Sequence, residues 1–173
     1  DMPRDAHRIK TKWVFKLKRN TSGYVVRYKA RLVVCGYAQK FGRDYTDTYA
    51  PVASSVSIRS IFALAASREL HLSQHDIDLA FLCGVLPENQ RVYLHKPAGV
   101  DLPDGQCLML LLALYGLKQA PRLFNIHLSG VLSKLGYQQS LSDPCVYHLR
   151  RNGVFSVLAV VVDDIFHAVT SES

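Results

Sequence analysis

KWVFKLKR (12–19) alternates apolar and basic positions, the period of a half-buried strand. NTSG (20–23) is a turn signal, and YVVRYKARLVVCGY (24–37) is a second strand-like run. Together they predict a hairpin studded with Lys16, Lys18, Arg27, Lys29 and Arg31. QKFGRDYTDTYAPV (39–52) reads as loop. SSVSIRSIFALAASREL (54–70) then places Ile58, Ile61, Phe62 and Ala65 at helical spacing, with Ser54 or Ser55 as N-cap.

HLSQHDI (71–77) predicts a short strand, followed by DLAFLCGVL and a stop at Pro87. RVYLHKP (91–97) and QCLMLLL (106–112) predict two more strands around a loop rich in Pro, Asp and Gly. A second amphipathic helix is expected over 121–137, its stripe running Leu123, Phe124, Ile126, Leu128, Val131, Leu132, Leu135 and ending at Gly136. CVYHLR (145–150) and VFSVLAVVV (154–162) flank Asn152-Gly153, a favoured tight-turn pair, and so read as a hairpin. The pattern suits an α+β fold with helices on one face of an antiparallel sheet.

Composition changes this picture little. The chain of 173 residues is 49% hydrophobic and 20% charged, ordinary for one globular domain with or without a subdomain. No apolar run approaches the roughly 20 residues that span a bilayer, and the first ten residues lack the apolar core of a signal peptide. A non-secreted protein without a membrane partner is expected. Cys35, Cys83, Cys107 and Cys145 are widely spaced, which predicts free thiols rather than a disulfide framework or zinc site. Charge distribution says more. Residues 1–50 carry 12 Lys/Arg against 4 Asp/Glu, a balance of +8, whereas 51–173 carry 9 against 10, a balance of −1. Such asymmetry points to a polyanion, most often nucleic acid, against the plainer reading of a solvated basic surface. Tyr24, Tyr28, Tyr37, Tyr45 and Tyr49 lie among the basic residues, placed either to stack on single-stranded template or to pack the hairpin and loop.

Candidate chemistry lies in VLAVVVDDIFHAV (157–169), where Asp163 and Asp164 interrupt the most apolar stretch. Adjacent ionised carboxylates repel each other and resist burial. A hairpin turn exposing both to water would account for them, and so would a bound hard dication. Asp76 also ends a strand-like run, so neighbouring strands would bring three carboxylates together. Three carboxylates and a basic surface suggest two-metal phosphoryl transfer.

Several ordered blocks carry a resemblance: RYKARLVVCGYAQKFGRDYTDTYAPVA (27–53), QHDIDLAFLCGVL (74–86), VYLHKPAGV (92–100), ALYGLKQAPRLFN (113–125), SDPCVY (142–147) and VVDD (161–164). The chain resembles the reverse transcriptase of Ty1/copia-type LTR retrotransposons over nearly its whole length. This resemblance implies an RNA-directed DNA polymerase using Mg²⁺ (or Mn²⁺) and dNTP on an RNA or DNA template-primer. Asp76, Asp163 and Asp164 would be the catalytic carboxylates and metal ligands, Asp76 and Asp163 the main ones and Asp164 mattering less for direct ligation, with the Ile77 carbonyl as a further ligand. Ala80 and Phe81 would lie beside the incoming sugar, Phe81 as a steric gate against a 2′-hydroxyl. Gln119 would contact the incoming nucleotide, and Lys29 or Arg31 would hold the triphosphate. The plainer readings are core packing for Phe81, a helix cap for Gln119, and template phosphates or solvent for Lys29 and Arg31. His75 is expected to face away from Asp76. Val161 stands where the family has Tyr, Asp78 where a basic residue is common, and Phe124 where Trp is common.

The implied architecture is the fingers and palm of a right-hand polymerase, with fingers over 1–51 and 88–113 and palm over 52–87 and 114–173. The palm would be a ferredoxin-like βαββαβ core, and the thumb is absent from these 173 residues. Partners would be template-primer, an oligomer, or the other parts of a Pol polyprotein. The location would be intracellular, in cytoplasmic virus-like particles or the nucleus. The alternative is an inactive or domesticated relic that binds nucleic acid or protein.

Overall fold

The computed structural model describes residues 7–103 and 105–170. Along the chain lie β1 (Arg8–Ile9), β2 (Thr11–Arg19), β3 (Val25–Val34), α1 (Ser55–Ser67), β4 (His71–Asp76), β5 (Val92–Leu94), β6 (Leu108–Leu110), α2 (Ala120–Lys134), β7 (Gln138–Gln139), β8 (Val146–Arg151), β9 (Val154–Val161) and β10 (Asp164–Val169). The elements form two compact units, Asp1–Thr48 with Phe81–Leu123, and Tyr49–Ala80 with Phe124–Ser173.

In the first unit β2 and β3 form the expected antiparallel hairpin. Its register opposes Lys16 to Lys29, Lys18 to Arg27 and Val14 to Arg31. Because side chains alternate across a strand, all five expected cations share one face. Trp13, Phe15, Leu17 and Tyr28 share the other, where Phe15 is 76% and Tyr28 80% exposed. Like charges directly opposite one another destabilise a sheet, as Lys16 with Lys29 and Lys18 with Arg27 do here. Tyr24, Tyr37 and Tyr49 are also exposed, whereas Tyr45 lies under the Lys118 ammonium, 4.7 Å from ring centroid to Nζ. A separate three-stranded sheet, β1-β5-β6, lies over a core of Ile9, Val34, Leu86, Val92, Leu94 and Leu117.

The second unit holds a five-stranded antiparallel sheet in the order β4-β10-β9-β8-β7. The expected βαββαβ alternation is not what the described residues adopt. They run helix, strand, helix and then four strands, because β8, β9 and β10 are successive hairpins joined by two-residue turns, which make sequence neighbours antiparallel partners. The strand β10 was not foreseen in the sequence. The apolar run of β9 is the central strand, with Ser156–Val160 all buried.

Helix α1 packs on β4, β9 and β10. It buries Ile61 and Ala65, and Phe62 meets Phe166 edge-on at 5.5 Å. Ser54 is its N-cap and accepts from Ser57 N at 3.0 Å. Buried Asp143 holds that cap in place: it accepts from Ser54 N at 2.9 Å, Ser57 Oγ at 2.6 Å and Cys145 N at 3.0 Å. Burial pushes the Asp143 carboxyl up, but the bonds from Ser57, Ser54 and Cys145 outweigh it and hold the group below the usual carboxylate range. Asp143→Ala leaves three donors unmet and should cost about 2–4 kcal/mol in urea unfolding. Since the folded-state value is depressed, Asp143 stabilises above the unfolded carboxyl pKa, and that contribution is lost as pH falls through the folded value. The variant's stability deficit should therefore shrink in acid.

Helix α2 buries Phe124, Leu128 and Leu132, four residues apart, while Ile126, Val131 and Leu135 are exposed, so the buried stripe is narrower than expected. It ends with Gly136 at φ 94° and Tyr137 N bonded to Leu132 O, a Schellman closure. Cys35, Cys83 and Cys145 are free thiols, and burial, then the nearby Asp143 charge, pushes the Cys145 thiol up to about 11. Among the described residues no helix is long and apolar enough to cross a membrane.

Candidate active site

The β9–β10 hairpin turns through Val162 and Asp163, closed by the pair Val161–Asp164. Val162 has φ 57°. Positive φ at the first central position alone is the pattern of a type II′ turn, which glycine usually fills. A β-branched residue there is strained, and strain of this kind gathers at functional sites.

On its far side β10 pairs with β4, and the register sets Asp164 directly opposite Asp76. Ile77 N donates to Asp163 O at 2.8 Å, one step beyond that pair. The alternation of antiparallel ladders then makes Asp76–Asp164 a non-hydrogen-bonded pair, the kind whose Cα atoms approach to about 4.5 Å. Two exposed or half-exposed carboxylates thus meet on one face, with Asp163 next to them on the turn. Gln74 shares that face and donates from Nε2 to Asp164 Oδ1 at 3.0 Å. Phe166, two residues further along it, meets α1 through Phe62, so the helix covers the sheet up to the carboxylates.

His75 pairs with Ile165 on the opposite face, as expected, and bonds Ser73 Oγ at 2.9 Å. His167 lies on that face too, 6.2 Å from His75 between ring centroids and 2.8 Å from Ser156 Oγ. Burial lowers its pKa first, and the charges of His75 and His71 lower it further. Among the described residues no three His, Cys, Asp or Glu side chains gather in a metal-holding cluster. The structure brings Asp76 and Asp164 together and leaves Asp163 beside them on the turn, with the Ile77 amide tied to that turn.

After Asp76 the chain passes through Leu79, at φ 58°, to buried Ala80, the start of the 3₁₀ turn Ala80–Cys83. In the first unit Phe81 packs against that unit's core and meets Tyr115 edge-on at 5.2 Å. The Arg31 guanidinium lies over the same Tyr115 ring, 5.1 Å from its centroid. Among the described residues the buried Arg31 Nε has no hydrogen-bond partner, a costly state that an added acceptor would relieve. Sequence reasoning missed Tyr115 as the shared platform; it lies inside the block ALYGLKQAPR.

Gln119 is 1% exposed. Its Nε2 donates to Asp44 O at 2.8 Å, and its Oε1 accepts from Gln39 Nε2 at 2.8 Å. Its backbone carbonyl accepts from Leu123 N, opening α2, while the side chain ties down the 39–44 loop.

The family described as reverse transcriptase (RNA-dependent DNA polymerase) matches residues 1–173. The chain belongs to this reverse transcriptase family. It is 41% identical over 167 residues to the retrovirus-related Pol polyprotein from transposon TNT 1-94 of Nicotiana tabacum, covering 95% of this chain and 12% of that protein. It is 41% identical over 157 residues to the Pol polyprotein from transposon RE1 of Arabidopsis thaliana, covering 89% and 10%. A putative transposon Ty5-1 protein of Saccharomyces cerevisiae is 32% identical over 98 residues, covering 56% and 31%. The reverse transcriptase chain thus spans about a tenth of the plant polyproteins it matches.

Proposed function

We propose that this reverse transcriptase domain extends a primer 3′-end on a nucleic-acid template, with Asp76, Asp163 and Asp164 as its catalytic carboxylates. The observation that carries this reading is the register of Asp76 against Asp164 beside the Asp163 turn. Like charges opposed across a sheet weaken it, and these three groups offer only hard oxygen donors, so the set fits a hard dication such as Mg²⁺ or Mn²⁺. When bound, such ions activate the attacking hydroxyl and stabilise charge on the phosphates. The protein's part is to hold the carboxylates on a rigid sheet end, to keep the strained Val162 turn at fixed height, and to tie that turn to β4 through Ile77. The Ile77 carbonyl is proposed as a further oxygen ligand.

The second part of the reading concerns the β2–β3 hairpin and its neighbours. We assign the triphosphate to Arg31 rather than Lys29, because Arg31 carries the orphaned Nε and its plane is fixed over Tyr115. A guanidinium held in this way forms charge-assisted bonds to phosphate with little ordering cost. Phe81, braced by Tyr115, and Ala80 before it suit a wall beside the nucleotide sugar. Gln119 acts as a positioning residue through Asp44 and Gln39. Lys16, Lys18, Arg27 and Lys29 supply the non-specific grip on template phosphates. These regions correspond to the fingers and palm of a right-hand polymerase.

Arg31→Gln should raise the KM for dNTP about tenfold or more while leaving template-primer affinity within about twofold, as single-nucleotide incorporation and filter binding would measure. The function itself is tested by primer extension on RNA and DNA templates, using this chain and a TNT 1-94 polyprotein whose matching segment is replaced by it. Extension by either supports the reading; extension by neither, with the chimera folded, removes it. Val161, in place of the family's Tyr, favours a second reading in which the domain binds template-primer without chemistry. That reading predicts retained binding and recovery of extension by Val161→Tyr in the chimera.

A further inference from the structure

At the end of the second unit's sheet away from the carboxylates, the β8–β9 turn and the C-terminus of α1 enclose a cleft of about 390 Å³. It is lined by Arg68, Arg150, Arg151, Asn152, Gly153 and Phe155, among others. Eight residues of β9 separate it from the Val162 turn, roughly 25 Å at ~3.3 Å per residue. Three arginines line it, and none of the residues lining the cleft is acidic. Arg150 and Arg68 both lie over the Phe155 ring, at 5.1 Å and 5.8 Å from its centroid. Among the described residues none of the three forms an ion pair.

The negative end of the α1 dipole accounts for one cation, Arg68, at the helix C-cap. It does not account for three. Outside the first 50 residues the chain has only 9 Lys/Arg against 10 Asp/Glu, so a third of those cations line this one cleft, with no carboxylate among its lining residues. Cation–π stacking on Phe155 fixes two planar forks before any ligand arrives, which lowers the ordering cost of a bidentate contact. Guanidinium forks match the tetrahedral oxyanion of a phosphoryl group.

We propose that this cleft is a phosphoryl-binding site separate from the catalytic carboxylates, taking either a free oligophosphate or a phosphate of a nucleic-acid strand. Arg68 and Arg150, stacked on the Phe155 ring, clamp the oxyanion, Arg151 adds a third charge at the cleft's rim, and the Asn152-Gly153 turn forms the floor.

The test is an amide NMR titration of the intact chain with sodium pyrophosphate and, separately, with a short oligothymidylate. Saturable shifts at Asn152 and Gly153, with a Kd of about 1 mM or tighter, are expected. They should persist in Asp163→Asn and weaken at least about tenfold in the Arg150→Gln/Arg151→Gln double variant, whose remaining spectrum reports that it is folded. Arg68→Gln alone should give a loss in the same direction. Tighter binding of the oligonucleotide identifies strand phosphates as the source, and tighter binding of pyrophosphate identifies free oligophosphate. No shift at Gly153 with either probe, or equal shifts in the double variant, overturns the proposal.

Discussion

Asp163→Asn is expected to reduce nucleotide incorporation by about 10³-fold or more, equivalent to ~4 kcal/mol of transition-state stabilisation, while leaving the fold intact. The side chain sits exposed on a two-residue turn, so the isosteric amide removes charge without opening a cavity. Only the backbone carbonyl of Asp163 serves the sheet, bonded by Ile77 N, and the substitution keeps it. Asp76→Asn should behave alike. Asp164→Asn should fall short of both, because its Oδ1 already accepts from Gln74 and the family resemblance assigns it the lesser role. Either Asp76→Asn or Asp164→Asn should also stabilise the unit slightly, by about 0.5 kcal/mol, since each relieves the opposed like charges. Activity lost together with stability gained would mark these carboxylates as kept for chemistry. Steady incorporation by Asp163→Asn would remove it from the catalytic set.

Gly116→Ala is expected to destabilise the first unit by about 4 kcal/mol or more, read by thermal or urea unfolding. A Cβ at Gly116 would lie 2.1 Å from Val34 O, and its φ of +93° is one that alanine rarely adopts. Gly36 sits in the same crossing, where a Cβ would stand 1.9 Å from Gly116 O. Both obstacles are backbone atoms, so no rotamer change relieves them. The crossing is further fixed by Val34 N donating to Tyr115 O at 2.8 Å, which also sets the height of the Tyr115 ring beneath Arg31. On the proposed triphosphate role of Arg31, partial unfolding here would also raise the KM for dNTP. Gly130→Ala serves as the control: it lies within α2 with open space around it and should gain up to ~1 kcal/mol.

These glycines show what the sequence did and did not make legible. CGY and LYGLKQ could be read as family blocks, but that each glycine exists to let the other's backbone pass depends on a contact between residues 36 and 116. The basic hairpin, both helices, the Ser54 cap and the Asn152-Gly153 turn were legible, because alternation, helical spacing and turn chemistry are local signals. Strand β10 was not, since its six residues begin on a carboxylate, Asp164, which masked their strand character. The triad's setting was half legible: two strand ends carrying Asp76 and Asp163 could be expected to neighbour each other, but not that Asp164 would be the residue in register with Asp76. Arg31 could not be chosen over Lys29 until Tyr115 and the unpartnered Nε were placed beside it.

The central claim is that Asp76, Asp163 and Asp164 act together as one divalent-cation site, and Mn²⁺ titration followed by paramagnetic broadening of the amide spectrum tests it most directly. The account predicts that resonances of residues 76–77 and 162–164 broaden first and together, and that Asp163→Asn abolishes the effect. Broadening centred elsewhere, or unchanged in Asp163→Asn, would contradict it.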